Sequence, residues 1–285
     1  MRSSPPKRLL NKEFFTEGLQ LQLDRQSLDR PYGLHWHEFY ELTLVLSGRG
    51  SNTVNGQTRE LQAGDAFLLT PADFHAIAPA KGQTLELYNL IFSQALLNDE
   101  LVGLLFAEDS GPYARFADAA AQANMIFRCQ NLAAEIEGKA PGHALAAQGE
   151  LNDILIAWHR QRRPELRVAR SRGPRLAHHE HPGIQKALIH IQHHFRQPLS
   201  LQDAARQAHL SPNYFSELFH KATGSSFQHY LQQQRLRFAQ ALLQSSNLPV
   251  TELSYVAGFN TLTHFERVFR REFGMTPSQA RQHER

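Results

Sequence analysis

Cysteine is nearly absent: Cys129 is the one thiol in 285 residues. A lone cysteine excludes an internal disulfide framework and any thiolate-built zinc or iron–sulfur centre within one chain, and it suits a reducing, cytoplasmic setting. Long apolar runs are missing too. The opening stretch carries Arg2, Lys7 and Arg8 without a following core of about 7 or more apolar residues, and no uncharged apolar run of about 18 residues occurs, so secreted and membrane-spanning readings are set aside. The third shortage is net charge. With 30 Lys and Arg against 27 Asp and Glu the balance is +3, too small by itself to point to a polyanion. What the chain does have, 41% hydrophobic and 9% aromatic residues, is a globular composition, and its length suits about two domains.

The small balance hides a split. Residues 1–160 hold 13 basic and 19 acidic side chains, net −6, residues 161–181 are +4 and residues 182–285 are +5. One acidic part beside a basic remainder is the asymmetry expected when one domain docks on phosphates and the other does not. An arginine-rich linker beside an ordinary helical domain gives the same count, so charge alone does not decide.

Patterning supplies the organisation. Residues 1–93 read as short strands broken by turn signals, among them Leu42–Leu46, the Asn55-Gly56 pair suited to a type I′ hairpin, and Ala66–Thr70 after Gly64-Asp65. That spacing predicts an antiparallel sandwich or small barrel. Residues 94–161 change to helical periodicity, carried by Leu145, Leu151, Ile154, Leu155 and Trp158, with breaks near 111–112 and 138–142; this part is expected to cover the barrel or pair with a second subunit. Residues 162–182, rich in Arg and interrupted by prolines, read as an exposed linker. Residues 183–285 read as helices throughout, giving a multidomain α+β protein.

The last segment repeats itself. Phe215, Phe219 and Gly224 recur fifty residues on as Phe265, Phe269 and Gly274, whereas Ala205 and His209 recur forty-nine on as Ser254 and Gly258, so the second turn holds one extra residue. Two helix-turn-helix units joined by a helix of about 19 residues, roughly 28 Å long, can set two reading helices into successive major grooves. On the first reading helix Tyr214, Phe215, Leu218 and Phe219 are expected to be buried, leaving Asn213, Ser216, Glu217 and His220 outward. On the second, Phe265, Val268 and Phe269 are buried, leaving Thr263, His264, Arg267 and Arg271. These outward groups can hydrogen-bond base edges. Lys221, Arg235, Arg237 and Arg270 are better placed as phosphate contacts, which position without reading. With Ser211-Pro-Asn-Tyr-Phe, Phe219-His-Lys-Ala-Thr-Gly224, Val256-Ala-Gly-Phe259, Phe265 to Gly274 and Thr276-Pro277, the stretch from about 184 to 281 resembles the DNA-binding domain of the AraC/XylS transcription regulators. The resemblance implies base contacts from Asn213, Ser216, Glu217, Thr263, His264 and Arg267. It departs at His209, where the family has glycine, and at Ser254, where it has alanine.

The first part carries His35-Trp-His37-Glu-Phe-Tyr-Glu41, then Gly48, then Pro71 to His75. Strand alternation would put His35, His37, Phe39, Glu41 and Thr43 on one face. With His75 from a later strand, three imidazoles and a carboxylate suit a divalent transition metal with positions open for a ligand, and they equally suit direct contact with a small molecule or a structural role. The spacing is similar to the first motif of the cupin barrels, with His75 where the second motif's histidine lies and Asp73 where it has glycine. Trp36, Tyr40, Phe67 and Tyr88 are candidates for stacking on a ligand ring, against the alternative of ordinary sheet core. The histidines at 178, 179 and 181 and the pair His190 and His194 weigh less. The whole arrangement resembles the sugar-responsive branch of the family, which includes regulators of rhamnose use and of the chitobiose operon.

The expected protein is a bacterial, nucleoid-associated cytoplasmic transcription regulator and not an enzyme. It is expected to act as an activator, to bind double-stranded DNA and a small-molecule effector such as a sugar, to engage RNA polymerase, to be a homodimer, and to require no membrane. No cofactor is certain; a divalent metal at His35, His37, Glu41 and His75 is the one candidate. The competing reading is a cupin metalloenzyme, an isomerase or dioxygenase, carrying a DNA-binding tail.

Overall fold

Short extended runs separated by Gly, Pro and Asn-Gly breaks fill the first part of the computed structural model, which describes residues 6–15, 18–106, 111–162 and 182–282. The chain divides into two units, one over Arg8–Arg170 and the other over Ser171–Arg285 together with Met1–Lys7. The first begins with β1 (Lys7–Leu9), the single-turn α1 (Asn11–Phe14), β2 (Leu21–Leu28), β3 (Tyr32–His37) and β4 (Tyr40–Ser47). It continues through β5 (Arg49–Val54), β6 (Gln57–Gln62), β7 (Asp65–Leu69), β8 (Phe74–Pro79) and β9 (Leu85–Phe92). Then come α2 (Asp99–Phe106), β10 (Tyr113–Arg115), α3 (Ala119–Gly138) and α4 (His143–Arg160).

The strands form two five-stranded sheets, ordered β1-β3-β8-β5-β6 and β10-β7-β4-β9-β2. Asn55 and Gly56 close the β5–β6 hairpin at φ +50 and +85, with Val54 opposite Gln57, which is the type I′ geometry that the pair favours. Between the sheets Val45, Phe67, Leu69, Leu85 and Leu87 of one meet Val54, Leu61 and Ile77 of the other. Burial of each large aliphatic side chain there stabilises by about 1.5–3 kcal/mol. Strand β4 is buried on both faces: Glu41, Thr43 and Val45 look inward, while Tyr40 stacks on Phe92 at 5.3 Å and meets Phe106 of α2 at 5.8 Å on the other side. Helices α3 and α4 pack on each other through Met125, Cys129, Leu132, Leu151, Ile154 and Leu155. Burial pushes the Cys129 thiol up to about 12, so it stays protonated.

Two expectations for this unit change. The stretch 94–161 is not helical throughout, because β10 lies within it and pairs with β7, Tyr113 opposite Phe67; three residues are too few for periodicity to register. Leu145 is 81% exposed. It lies in the first turn of α4, six residues before Leu151 and therefore about 120° away from the buried stripe.

The second unit comprises α5 (Pro182–His194), α6 (Leu201–Gln207), α7 (Pro212–Thr223), α8 (Phe227–Ser245), α9 (Val250–Val256), α10 (Leu262–Phe273) and α11 (Pro277–Gln282). Local chemistry sets the ends. Ser200 and Asp203 form a capping box on α6, Pro212 opens α7, and Gly224 and Gly274 stop α7 and α10 in the left-handed conformation at φ +69 and +72. The repeat is visible in the backbone bonds. Leu210 N donates to Ala205 O and Phe259 N to Ser254 O, both at 3.0 Å. Asn260 is the inserted residue, because Phe215 N to Ser211 O already matches Phe265 N to Thr261 O fifty positions on. His209 takes φ +55 where Gly258 takes +89, so the departure from glycine leaves the first turn's geometry intact. Among the described residues no helix is long and apolar enough to cross a membrane. The histidines at 178, 179 and 181 lie outside the described residues.

His190 and His194 stack on α5 at 4.2 Å, and His194 Nδ1 donates to His190 O at 2.8 Å. Burial and the His194 ring lower the pKa of His190 to about 4, and burial also lowers that of His194; Asp203 opposes the shift at His190. Both imidazoles are thus neutral in the fold but titrate near 6.5 when unfolded. Below about 6.5 the unfolded state binds more protons, so the stability present at pH 7 and above is lost as pH falls toward 4. The unfolding midpoint of the helical unit is expected to drop between pH 7.5 and 5, and His190→Gln to flatten that drop; an equal slope in the variant would show that other groups set it.

Candidate functional site

His35, His37, Glu41 and His75 are all buried, but one strand does not carry them. Strand β3 ends at His37, β4 begins at Tyr40, and the two belong to opposite sheets. The bend at Glu38-Phe39 therefore folds the motif onto itself, and His75 of β8 sits in register with His35. The sequence placed these groups together for the wrong geometric reason: they converge across two facing sheets rather than along one.

Each imidazole is oriented from behind. His35 Nδ1 donates to Gly33 O at 2.9 Å, His37 Nδ1 to Phe39 O at 2.6 Å, and His75 Nδ1 lies 3.4 Å from Asn52 Oδ1. A carbonyl oxygen only accepts, so Nδ1 carries the proton and Nε2 presents a lone pair. His75 Nε2 has no hydrogen-bond partner and stands 3.7 Å from Glu41 Oε1, while His37 Nε2 is 3.7 Å from Glu41 Oε2. Burial raises the Glu41 carboxyl to about 7 against hydrogen bonds from Thr43 and Asn89. Burial, then the neighbouring His35 and His37, holds His75 well below its ordinary pKa, and so neutral. His35, Glu41 and His75 each offer a ligand atom within 4.8 Å of the others; His37 stands outside this trio, at the far oxygen of Glu41.

These groups open onto a cavity of about 120 Å³. Its polar wall adds Asp24, Gln26, Thr43 and Asn89, and its apolar wall includes Leu9, Phe14, Phe39 and Ile91. The sequence reading did not find Asp24, Gln26 or Asn89. The one signal for Asp24 and Gln26 was weak, a polar residue at every second position of β2 from Gln22 to Gln26, and Asn89 on β9 had none. Nor did it find the cover formed by the N-terminal segment. Glu38 holds that segment through Arg8 at 2.7 Å, through the Asn11 amide at 3.1 Å, and by its own N–H to Leu9 O at 3.1 Å, while Phe14 and Phe15 meet the Phe39 ring edge-on at 5.1 and 5.9 Å. Trp36 and Tyr40 do not line the cavity. Both are buried elsewhere, because they alternate with His35 and Glu41 and so face away. Phe67 belongs to the core between the sheets, and Tyr88 also lies off the cavity.

In the helical unit Asn213, Ser216 and Glu217 of α7 and Thr263, His264 and Arg267 of α10 are all exposed. Phe215 and Phe219, and Phe265, Val268 and Phe269, are buried behind them. Tyr214 is 49% exposed and joins the outward face, since it precedes the buried Phe215 by one residue, about 100° around the helix. Lys221 and Arg270 are exposed as expected. Arg235 is not a phosphate contact: its Nε donates to Phe195 O at 2.7 Å and its guanidinium NH2 to Gln197 O at 2.9 Å, which ties α8 to the end of α5, and burial lowers its pKa. Arg237 is half-buried, with one guanidinium nitrogen out of solvent. Periodicity cannot tell an arginine that caps a neighbouring helix from one that meets DNA. Arg271 remains exposed but donates to Gln232 at 2.8 Å, joining α10 to α8.

A polar cavity in a two-sheet unit, on one chain with a doubled helix-turn-helix unit, defines a ligand-binding, DNA-binding regulator. The chain matches the "AraC-like ligand binding domain" family over residues 24–155 and a "Helix-turn-helix domain" family over residues 204–283. It belongs to the AraC family of transcription regulators. Among its relatives are proteins named HTH-type transcriptional activator RhaR from Salmonella schwarzengrund (strain CVM19633) and Escherichia coli O139:H28 (strain E24377A / ETEC). Each is 28% identical, over 281 and 286 residues, covering 96% of this chain and 95% and 96% of theirs. The C-terminal domain of AraT, a response regulator from Geobacillus stearothermophilus, is 34% identical over 35% of this chain and 84% of that one, with a TM-score of 0.35. The relatives are DNA-binding activators, and the metalloenzyme reading has no support among them.

Proposed function

We propose that this chain is a sugar-responsive transcription activator of the bacterial cytoplasm. The observation that carries the reading is the pairing, on one chain, of a partly open polar cavity with six exposed polar side chains on α7 and α10. The activator sign and the sugar class follow the relatives named RhaR. Effector binding in the cavity is coupled to DNA binding, so two reader units in a homodimer engage paired half-sites with different affinity and present RNA polymerase with a different complex. The sorting of contacts is testable. Arg267→Ala should relax preference at one base pair at a cost of about 1–3 kcal/mol, whereas Arg270→Ala should weaken all sequences alike. Competition titrations against single-base operator variants check this, and identical behaviour of the two variants would contradict it.

The orphaned His75 Nε2 favours a second feature of the same site. The donor set fits a divalent cation, which His35, Glu41 and His75 would hold through two Nε2 lone pairs and a carboxylate. Such a cation supplies Lewis-acid attraction for an effector's hydroxyl oxygens. Metal analysis of untagged protein, wild type against His75→Ala, tests it: one equivalent lost in the variant is expected, and no metal in either rejects it.

A further inference from the structure

The first turn of α7 presents a phenol ring where the first turn of α10 presents an imidazole. Ser211 and Thr261 are the N-caps of the two helices, so Tyr214 and His264 are each the third residue inward and hold the same place in their repeats. Both are exposed, and each is followed by a buried phenylalanine, Phe215 or Phe265. Their support differs. The His264 ring leans edge-on against Phe259 at 5.9 Å. Tyr214 has no such prop. Phe215 meets Phe219 and Phe227 at 5.3 and 6.5 Å, whereas among the described residues the Tyr214 ring joins no aromatic pair and its hydroxyl no hydrogen bond.

A large ring that is 49% exposed gains free energy from any apolar surface that displaces its water. Its place on the helix says where that surface comes from. In a helix-turn-helix the N-terminal residues of the second helix meet base edges in the major groove. Every base pair shows hydrogen-bonding atoms there, and the one apolar group is the C5 methyl of thymine. Along α7, Glu217 follows Tyr214 at about 60° around the helix, and Lys221, seven residues on, returns to within about 20° of it. The ring thus occupies the strip between a base-reading carboxylate and a phosphate-seeking ammonium. That strip faces the wall of the groove, where a thymine methyl projects beside its own strand.

Resting on the assignment of α7 as a reading helix, we infer that Tyr214 is a seventh base-reading residue, which packs its ring on the C5 methyl of a thymine and so selects T·A at one position of the site. The test uses the full chain and its own promoter fragment. Each thymine of the footprinted site is replaced singly by deoxyuracil, which keeps every hydrogen-bonding atom and removes only the methyl. One replacement is expected to weaken wild-type binding by about fourfold, the worth of one buried methyl group. In Tyr214→Ala that replacement should have no effect, and in Tyr214→Phe, which keeps the ring, it should keep its full effect. The thermal transition of the helical unit should stay in place in both variants, because the ring is not part of the core. The inference is overturned if no thymine responds, if Tyr214→Ala binds as tightly as wild type, or if that variant weakens thymine and uracil DNA equally. It is also overturned if Tyr214→Phe loses the methyl effect, since the hydroxyl would then make the contact. Asn213→Ala and Glu217→Ala separate this failure from a larger one: if they too leave base preference unchanged while binding persists, α7 does not read bases at all.

Discussion

Gly258→Ala is expected to lower the stability of the helical unit by about 3 kcal/mol or more and to abolish DNA binding at growth temperature. Gly258 sits at φ +89, where a residue with a Cβ loses about 1–2 kcal/mol. Its added Cβ would also stand 2.8 Å from Arg196 O and 2.9 Å from Arg196 Cα. Those are backbone atoms at the end of α5 that cannot swing aside, so overpacking of about 1–3 kcal/mol adds to the conformational cost. The same region is held from the other side by Arg235, whose guanidinium binds the Phe195 and Gln197 carbonyls. The damage should therefore spread to the joint between α5 and the second helix-turn-helix. Calorimetry of the full chain checks this. The transition of the helical unit should fall by well over 5 °C while the transition of the sensor unit stays in place; an unmoved helical transition would mean the α5 joint yields.

Phe39→Ala is expected to act on the other unit, with a loss of about 3–5 kcal/mol. Phe39 is buried, its ring lies parallel to that of His37 at 4.7 Å, and it receives the edges of Phe14 and Phe15. Truncation removes the surface on which the N-terminal segment rests and one wall of the cavity at once. Limited proteolysis ahead of residue 18 should therefore accelerate in the variant, together with a lower sensor transition and an unchanged helical one. If the segment stays protected, its hold comes from the Glu38 contacts instead.

Much of the architecture was legible because local chemistry and periodicity agreed. Asn55-Gly56 specifies a two-residue hairpin by itself, and Ser200 with Asp203, Pro212, Gly224 and Gly274 mark helix ends wherever they occur. The fifty-residue recurrence of Phe215, Phe219 and Gly224 marks the doubled unit without any geometry. What escaped depends on tertiary contact. Arg235 and Arg267 have the same side chain on helices of one domain, and only the neighbouring Phe195 and Gln197 carbonyls make the first a structural tie. The cavity residues Asp24, Gln26 and Asn89 are brought to Glu41 because β2 and β4 both pair with β9, a register that no short motif announces. The histidine motif showed which residues matter but not why they meet, because alternation along a strand says nothing of a bend that hands the chain from one sheet to the other.

The helical unit is expected to grip DNA phosphates while its outward side chains read bases. The most direct measurement is the equilibrium affinity of the full chain for its own promoter fragment as a function of salt. Lys221, Arg270 and the other exposed basic groups, with helix N-termini adding to them, should give about 5 phosphate contacts and a slope of log K against log salt of about −4 or steeper. A slope near zero would contradict the account.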